Sequence, residues 1–210
     1  MRDLWEYENK LDLAGTRCIC GVDEAGRGPL AGPVCAAAVI LPRGLEIPGL
    51  DDSKKLTDQR RRTLYDVITE AAEAWSVALA DERVIDEINI LQATLRAMQE
   101  AVAGLTVRPD LALIDGNREP ALPMEAVSIV GGDGRSASIA AASILAKVTR
   151  DRLMEELDGQ YPQYGFAVHK GYPTRRHYAA LDEFGPCPLH RRSFLKKYYE
   201  KKNEPAGSLG

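Results

Sequence analysis

The sequence predicts an α/β domain with a central mixed sheet of five strands, flanked by helices and carrying a helical C-terminal extension. Three observations carry this expectation. Short β-rich apolar runs alternate with longer segments of helical period. The first two runs are separated only by a Gly/Pro turn region, whereas the runs at 74–80 and 111–114 follow helical stretches, as in an α/β domain with a mixed sheet. A long segment after residue 136 is apolar nearly all round, the pattern of a helix buried against other layers. At 210 residues the chain is the size of one domain with a substantial core. One unit over residues 1–202 is expected, with C-terminal helices over about 158–202 and a disordered tail at 203–210.

Residues 18–24 and 33–41 read as the first strands, and 50–56 as a polar loop. Thr57 is placed to cap a helix over 58–72, with Leu64, Tyr65 and Ile68 on one face. Residues 74–80 read as a strand. The spacing of Ile88, Leu91, Leu95, Met98 and Val102 predicts a helix over 88–104 that stops at Gly104. Residues 111–114 are wholly apolar, as in a strand buried on both faces, and run into Asp115-Gly116; residues 126–130 are a second such run and lead into Gly131-Gly132-Asp133. Ser136 caps the long helix to about residue 157, and Thr174 starts another that stops at Gly185-Pro186.

Composition narrows the function classes. An apolar fraction of 45% with 28% charged residues is ordinary for a soluble globular protein. No window is long and apolar enough to span a membrane, and the N-terminus lacks a signal-peptide pattern, so a cytoplasmic protein is expected. Cys18, Cys20, Cys35 and Cys187 have no zinc-like spacing and read as small apolar residues, with Cys18 and Cys20 on one strand face. A net charge of −4 argues against a generally basic nucleic-acid binder. The charge is uneven, however. Residues 1–146 hold 15 Lys+Arg against 23 Asp+Glu, while residues 147–210 hold 12 against 8 and contain His169, His177 and His190. That asymmetry permits a polyanion contact on the C-terminal part.

Four acids stand at strand ends: the doublet Asp23-Glu24, then Asp115 and Asp133. Such ends line the ligand crevice of open α/β sheets. Each acid alone also suits a cap or turn, and for Asp133 between two glycines that is the better single reading. Together they suit a metal site, because clustered carboxylates repel and are costly to bury unless cations neutralise them. Oxygen ligands without His or Cys favour Mg²⁺ or Mn²⁺ over zinc. Two such ions about 4 Å apart can activate water and stabilise the leaving oxygen of a phosphodiester.

Several segments reach beyond the acids: Gly21-Val22-Asp23-Glu24-Ala25-Gly26-Arg27-Gly28, Asp52-Ser53-Lys54-Lys55-Leu56, Ile114-Asp115-Gly116 and Gly132-Asp133. Further along come the run from Ala140 to Arg152, His169-Lys170-Gly171-Tyr172-Pro173-Thr174, and Leu189-His190-Arg191-Arg192-Ser193-Phe194. In this order, over roughly residues 18–195, the chain resembles bacterial ribonuclease HII of the RNase H-like superfamily.

The resemblance implies an RNase H-like fold and metal-dependent endonucleolysis of the RNA strand of RNA–DNA hybrids, with two Mg²⁺ or Mn²⁺ ions in the active complex. It also implies incision 5′ to a single ribonucleotide in duplex DNA, leaving 3′-hydroxyl and 5′-phosphate ends, as in primer and ribonucleotide removal during replication and repair. Hybrid duplex and ribonucleotide-containing duplex are then the partners, and a monomer is expected. By the same resemblance Asp23 bridges both ions, Glu24 and Asp115 complete one site, and Asp133 completes the other.

Gly26-Arg27-Gly28 resembles the family's ribonucleotide-sensing loop, where glycines let the main chain approach a sugar; Arg27 suits a phosphate clamp equally well. Tyr172 matches the family tyrosine that stacks on the adjacent deoxyribose, although packing beside Pro173 is the default without the surrounding match. Lys54, Lys55, Lys147, Arg150, Lys170, Arg175, Arg191 and Arg192 are candidate phosphate contacts, each weighed evenly against a solvated surface. Ser143 and Lys147 lie one helical turn apart and can share a face. Asp151 suits an ion pair within its helix, and His169 a structural or phosphate contact more than a proton donor to the leaving group. Two other readings share this chemistry: an RNase H-like nuclease acting on DNA structure, and a silent nucleic-acid-binding module. Four intact acids and a loop suited to a 2′-hydroxyl favour the ribonuclease.

Overall fold

The structure, a computed structural model, describes residues 4–13, 17–51 and 53–203; the expected tail beyond residue 203, and Asp52, lie outside the described residues. Strands β1 (Ile19–Ala25), β2 (Val34–Ile40), β3 (Ala74–Ala80), β4 (Leu111–Asp115) and β5 (Glu125–Ile129) form one sheet in the order β3-β2-β1-β4-β5. β1–β2 and β2–β3 are antiparallel, β1–β4 and β4–β5 parallel, so the sheet is mixed as expected. Val22 pairs with Ala38 on one side and Ile114 on the other, which brings the carboxyl ends of β1 and β4 side by side.

Two helical layers cover the sheet. Cys20, Val22, Ala36, Ala38 and Ile114 face α3 (Glu82–Ala103) through Ile85, Ala93, Ala97 and Met98. Cys35, Ala37 and Val39 face α4 (Ala137–Gln160) and α2 (Asp58–Ala71). The alanines of β2 and α4 let these layers approach closely. Gly21 takes that to its limit, because a Cβ there would sit 2.1 Å from the main-chain carbon of Ser138. Beyond the sheet, α5 (Phe166–His169), α6 (Arg175–Phe184) and α7 (Arg192–Asn203) gather around Leu30, Met154, Tyr164, Phe166 and Leu181, the expected C-terminal helical part. Among the described residues no helix is long and apolar enough to cross a membrane.

Local capping accounts for the helix starts. Thr57, Ser136 and Thr174 accept from the N–H groups of Arg60, Ile139 and His177, as their sequence context predicts. Three expectations need correction. α3 begins at Glu82, capped by Asp81, rather than near residue 88. Asn89 breaks the helix with φ 70° and recaps it by accepting from Leu91 and Gln92, so the later start is only its second half. β5 is not buried on both faces: it is the sheet's edge strand, Glu125 is exposed and only Ile129 is fully buried. Finally, a short α1 (Glu6–Leu11) was not expected. Its buried Glu8 accepts from the Ser136 hydroxyl at 2.7 Å and the Ser138 N–H at 3.1 Å, which puts a carboxylate at the positive end of α4.

Candidate active site

The parallel β1–β4 pairing carries Asp23 and Asp115 to the same end of the sheet, and the turn after β5 brings Asp133 to meet them. One oxygen from each of Asp23, Asp115 and Asp133 lies within 4.8 Å of the others. Asp23 and Asp133 are buried, at 4% and 5% exposure, so the charge cluster is shielded from water. Its orientation is fixed by the main chain: Glu24 N–H donates to Asp23 Oδ1, and Gly132 N–H to Asp115 Oδ1, both at 2.7 Å. Burial, and next the charges of Glu24 and Asp115, push the Asp23 carboxyl well above the usual carboxylate range. Such a group needs a proton or a cation, and three clustered oxygen donors without His or Cys fit a hard divalent ion.

Glu24 stands apart from this trio. Successive side chains of β1 alternate faces, so it leaves the strand opposite Asp23 and reaches the rim of the same cleft, where Arg27 Nη1 lies 3.3 Å from its Oε1. Burial raises the Glu24 carboxyl while the Arg27 charge opposes that shift. Arg27, half exposed, is therefore paired to an acid in the protein alone. Lys54 behaves similarly: its exposed ammonium extends to 3.3 Å from Asp133 Oδ2.

The cleft is lined by Asp23, Glu24, the Gly26-Arg27-Gly28 turn, Ser53, Lys54, Asp115, Ser143, Lys147 and Tyr172. Tyr172 is 41% exposed, a large ring left open beside the acids, and a Cβ added at Gly28 would lie 3.7 Å from its Cε1. Lys147 is 6.0 Å from the centre of that ring and bridges to Asp151 at 2.7 Å, the ion pair expected within the helix.

Other basic residues face elsewhere. Arg191 is fully buried, with its guanidinium spent on the carbonyls of Gly26, Arg27, Pro29 and Gly32. Arg150 is likewise buried on Ala31, Pro33 and Lys170. Both expectations of a phosphate contact are corrected, because a guanidinium with its donors facing inward cannot also reach a duplex. Lys170 lies outside the cleft lining and pairs with Glu155 at 2.8 Å. Arg175 and Arg192 are exposed.

The three histidines form a buried chain. His169 Nδ1 accepts from Gly171 N–H at 3.2 Å, so its Nε2–H donates to Tyr164 O at 2.8 Å. His190 Nδ1 accepts from Cys187 N–H, which leaves Nε2–H to donate to His177 Nε2 at 3.0 Å; His177 Nδ1–H then donates to Tyr172 O at 3.0 Å. All three are neutral in this arrangement, and burial pulls His177 and His190 down to about 4. Their role is to hold the turn that carries Tyr172, the structural reading of His169 among them.

The cleft also contains a residue to which the sequence reading gave no role, Ser53, buried at its wall. Its position inside the Asp52–Leu56 motif was the available signal.

Comparison with known proteins comes to the same segments. The sequence profile of the family described as Ribonuclease HII matches residues 20–197. A Ribonuclease HII of Geobacter metallireducens is 58% identical over 193 residues, covering 92% of this chain and 91% of that protein. The crystal structure of ribonuclease H2 from Pyrococcus horikoshii OT3 superposes with a TM-score of 0.71 at 27% identity, covering 87% of this chain and 99% of that one. Bst-RNase HIII, solved in complex with Mn²⁺, shares the fold at 20% identity and a TM-score of 0.59, over 81% of this chain and 64% of its own.

Proposed function

The chain belongs to the ribonuclease HII family and is a ribonuclease H endonuclease, and we propose that it cuts the RNA strand of RNA–DNA hybrids and incises 5′ to single ribonucleotides in duplex DNA. The products are 3′-hydroxyl and 5′-phosphate ends, and the cellular task is removal of ribonucleotides and primer RNA. The observation that carries this reading is the convergence of Asp23, Asp115 and Asp133 within 4.8 Å, at the foot of a cleft walled by Gly26–Gly28 and Tyr172.

Asp23, Asp115 and Asp133, with Glu24 at the rim, would hold two divalent cations, Mg²⁺ or Mn²⁺. Bound there, the cations lower the pKa of water and offset charge on the phosphate and leaving oxygen. The protein supplies the rest. Main-chain N–H groups orient Asp23 and Asp115, so the donor set is arranged before any ligand arrives. Lys54 and Arg27, each on an acid of the cleft, offer positive charge to backbone phosphates. The glycines at 26 and 28 admit a ribose edge close to main-chain donors, and the open Tyr172 ring offers a stacking face to the neighbouring sugar.

The test uses three duplexes: one with a single ribonucleotide, one all-DNA, and one a branched junction, each with Mg²⁺ and with EDTA. Cutting confined to the first, 5′ to the ribonucleotide and abolished by EDTA, is expected. Equal cutting of all-DNA would overturn the ribonuclease reading in favour of a DNA-structure nuclease. Binding of all three with no cutting would indicate a silent module.

A further inference from the structure

The segment from Gly26 to Pro33 turns its carbonyls inward onto two guanidinium groups. Arg191 donates through Nη2 to Gly26 O at 2.6 Å, through Nη1 to Arg27 O at 3.0 Å and Pro29 O at 2.8 Å, and through Nε to Gly32 O at 2.9 Å. Arg150 donates to Pro33 O at 2.9 Å, Ala31 O at 3.1 Å and Lys170 O at 3.0 Å. Exposure is 0% for Arg191 and 1% for Arg150, and among the described residues neither belongs to an ion pair. Burying two like charges with only carbonyl dipoles for company is costly, so a packing role alone would be better filled by an apolar side chain.

Their effect on the cleft follows from peptide geometry. In a trans peptide the C=O and the next residue's N–H point in opposite directions. With Gly26 O and Arg27 O held by Arg191, the N–H groups of Arg27 and Gly28 turn away from it. Neither amide donates to an acceptor among the described residues, and both residues line the cleft with Asp23 and Tyr172. Gly26 is required for this arrangement: its φ is +97°, and a Cβ would meet Arg150 Nε at 2.1 Å.

We propose that Arg191 is a positioning residue for sugar selection: by holding the Gly26 and Arg27 carbonyls, it aims the Arg27 and Gly28 N–H donors at the substrate's 2′-oxygen. Arg150 ties the far end of the segment to Lys170, two residues before Tyr172, so the loop and the tyrosine keep a fixed spacing. The inference rests on the ribonucleotide reading given above. Lysine cannot replace the fork, since one compact ammonium cannot span four carbonyls in fixed directions.

The experiment compares wild type and Arg191→Lys on duplexes whose single ribose carries a 2′-hydroxyl or a 2′-fluorine, with melting temperature measured with and without Mn²⁺. Wild type must first prefer the hydroxyl; absence of that preference sinks the proposed function itself, whatever Arg191 does. Given it, Arg191→Lys should keep its Mn²⁺-induced melting shift and a KM within about threefold, while kcat on the hydroxyl duplex falls about 10–100-fold, the scale of a small misplacement of a positioned group. The 2′-fluoro rate should barely change, so discrimination collapses. Equal losses on both duplexes, or unchanged kcat in a folded variant, overturn the proposal. Should Arg191→Lys not fold, amide exchange in wild type decides. The Arg27 and Gly28 amides should exchange quickly in the free protein and slowly with the ribose duplex in Ca²⁺; amides already protected in the free protein overturn the proposal.

Discussion

Replacing Asp23 with Asn is expected to stabilise the metal-free protein while abolishing turnover, two effects of opposite sign from one lost charge. The oxygens of Asp23, Asp115 and Asp133 lie within 4.8 Å of one another. At that separation, and at an effective dielectric of about 20, a like-charge pair repels by about 3.5 kcal/mol. The metal-free protein relieves part of this by keeping a proton on Asp23, whose carboxyl is raised first by burial and then by Glu24 and Asp115. Between the unfolded and the raised folded pKa, the native state holds a proton that the unfolded chain has released, so wild-type stability falls as pH rises. Asn removes the penalty and can still accept the Glu24 N–H. A gain of about 2 kcal/mol in EDTA, roughly 4–8 °C in melting temperature for a chain of this size, is expected at about pH 8, with a smaller gain at about pH 6. Thermal melts at both pH values, with and without Mg²⁺, provide the assay. Equal melting temperatures in EDTA, or the same Mg²⁺ shift in both proteins, would refute the reasoning.

Other outcomes follow from the same cleft and its support. Tyr172→Ala should lower single-ribonucleotide incision by about tenfold, the scale of one stacking contact, and cutting of long hybrids less; equal losses would count against junction reading. Lys54→Gln removes an ammonium 3.3 Å from Asp133 that competes with a bound cation. Calorimetric titration should give a Mn²⁺ affinity up to about fivefold higher in the absence of duplex, the range of an exposed ion pair, and a weaker affinity would contradict that competition. The histidine chain sets the acid limit. His177 and His190 sit at about 4 in the folded protein, below their unfolded value of about 6.5, so their stabilisation is complete above about pH 6.5 and drains as pH falls toward about 4. Circular dichroism across that range should record a steep loss of stability; a flat profile would argue against neutral, linked imidazoles.

The parts legible in the sequence were those encoded locally. Thr57, Ser136 and Thr174 each announce a helix within three residues, and the structure uses all three. The acids stood out jointly, since each alone suits a cap or turn and only several at strand ends together ask for a cation. Misreadings came where the deciding partner is remote. Residues 126–130 are nearly as apolar as residues 111–114, with Ser128 the polar member, and their place at the sheet edge leaves them half covered. Arg191 and Arg150 look like any basic residue in a cationic segment, and nothing nearby reveals that all but one of the carbonyls they bind lie more than a hundred positions earlier. The expected start near residue 88 came from apolar spacing and missed the first turns from Glu82, because Asn89 recaps the helix by accepting from Leu91 and Gln92.

The distance between Gly26 and Arg191 has a consequence for synthesis. Their hydrogen bond joins residues 165 positions apart, so the loop emerges long before its inward partner has been translated. At roughly 5–20 residues per second that interval is about 8–30 s. Once Asp133 has been added, the nascent chain holds its acids and its glycine turn but not yet the arginine that binds the turn's carbonyls. If Arg191 sets sugar selection as proposed, discrimination between ribose and deoxyribose is among the last properties the polypeptide acquires, and a product ending before residue 191 would lack it.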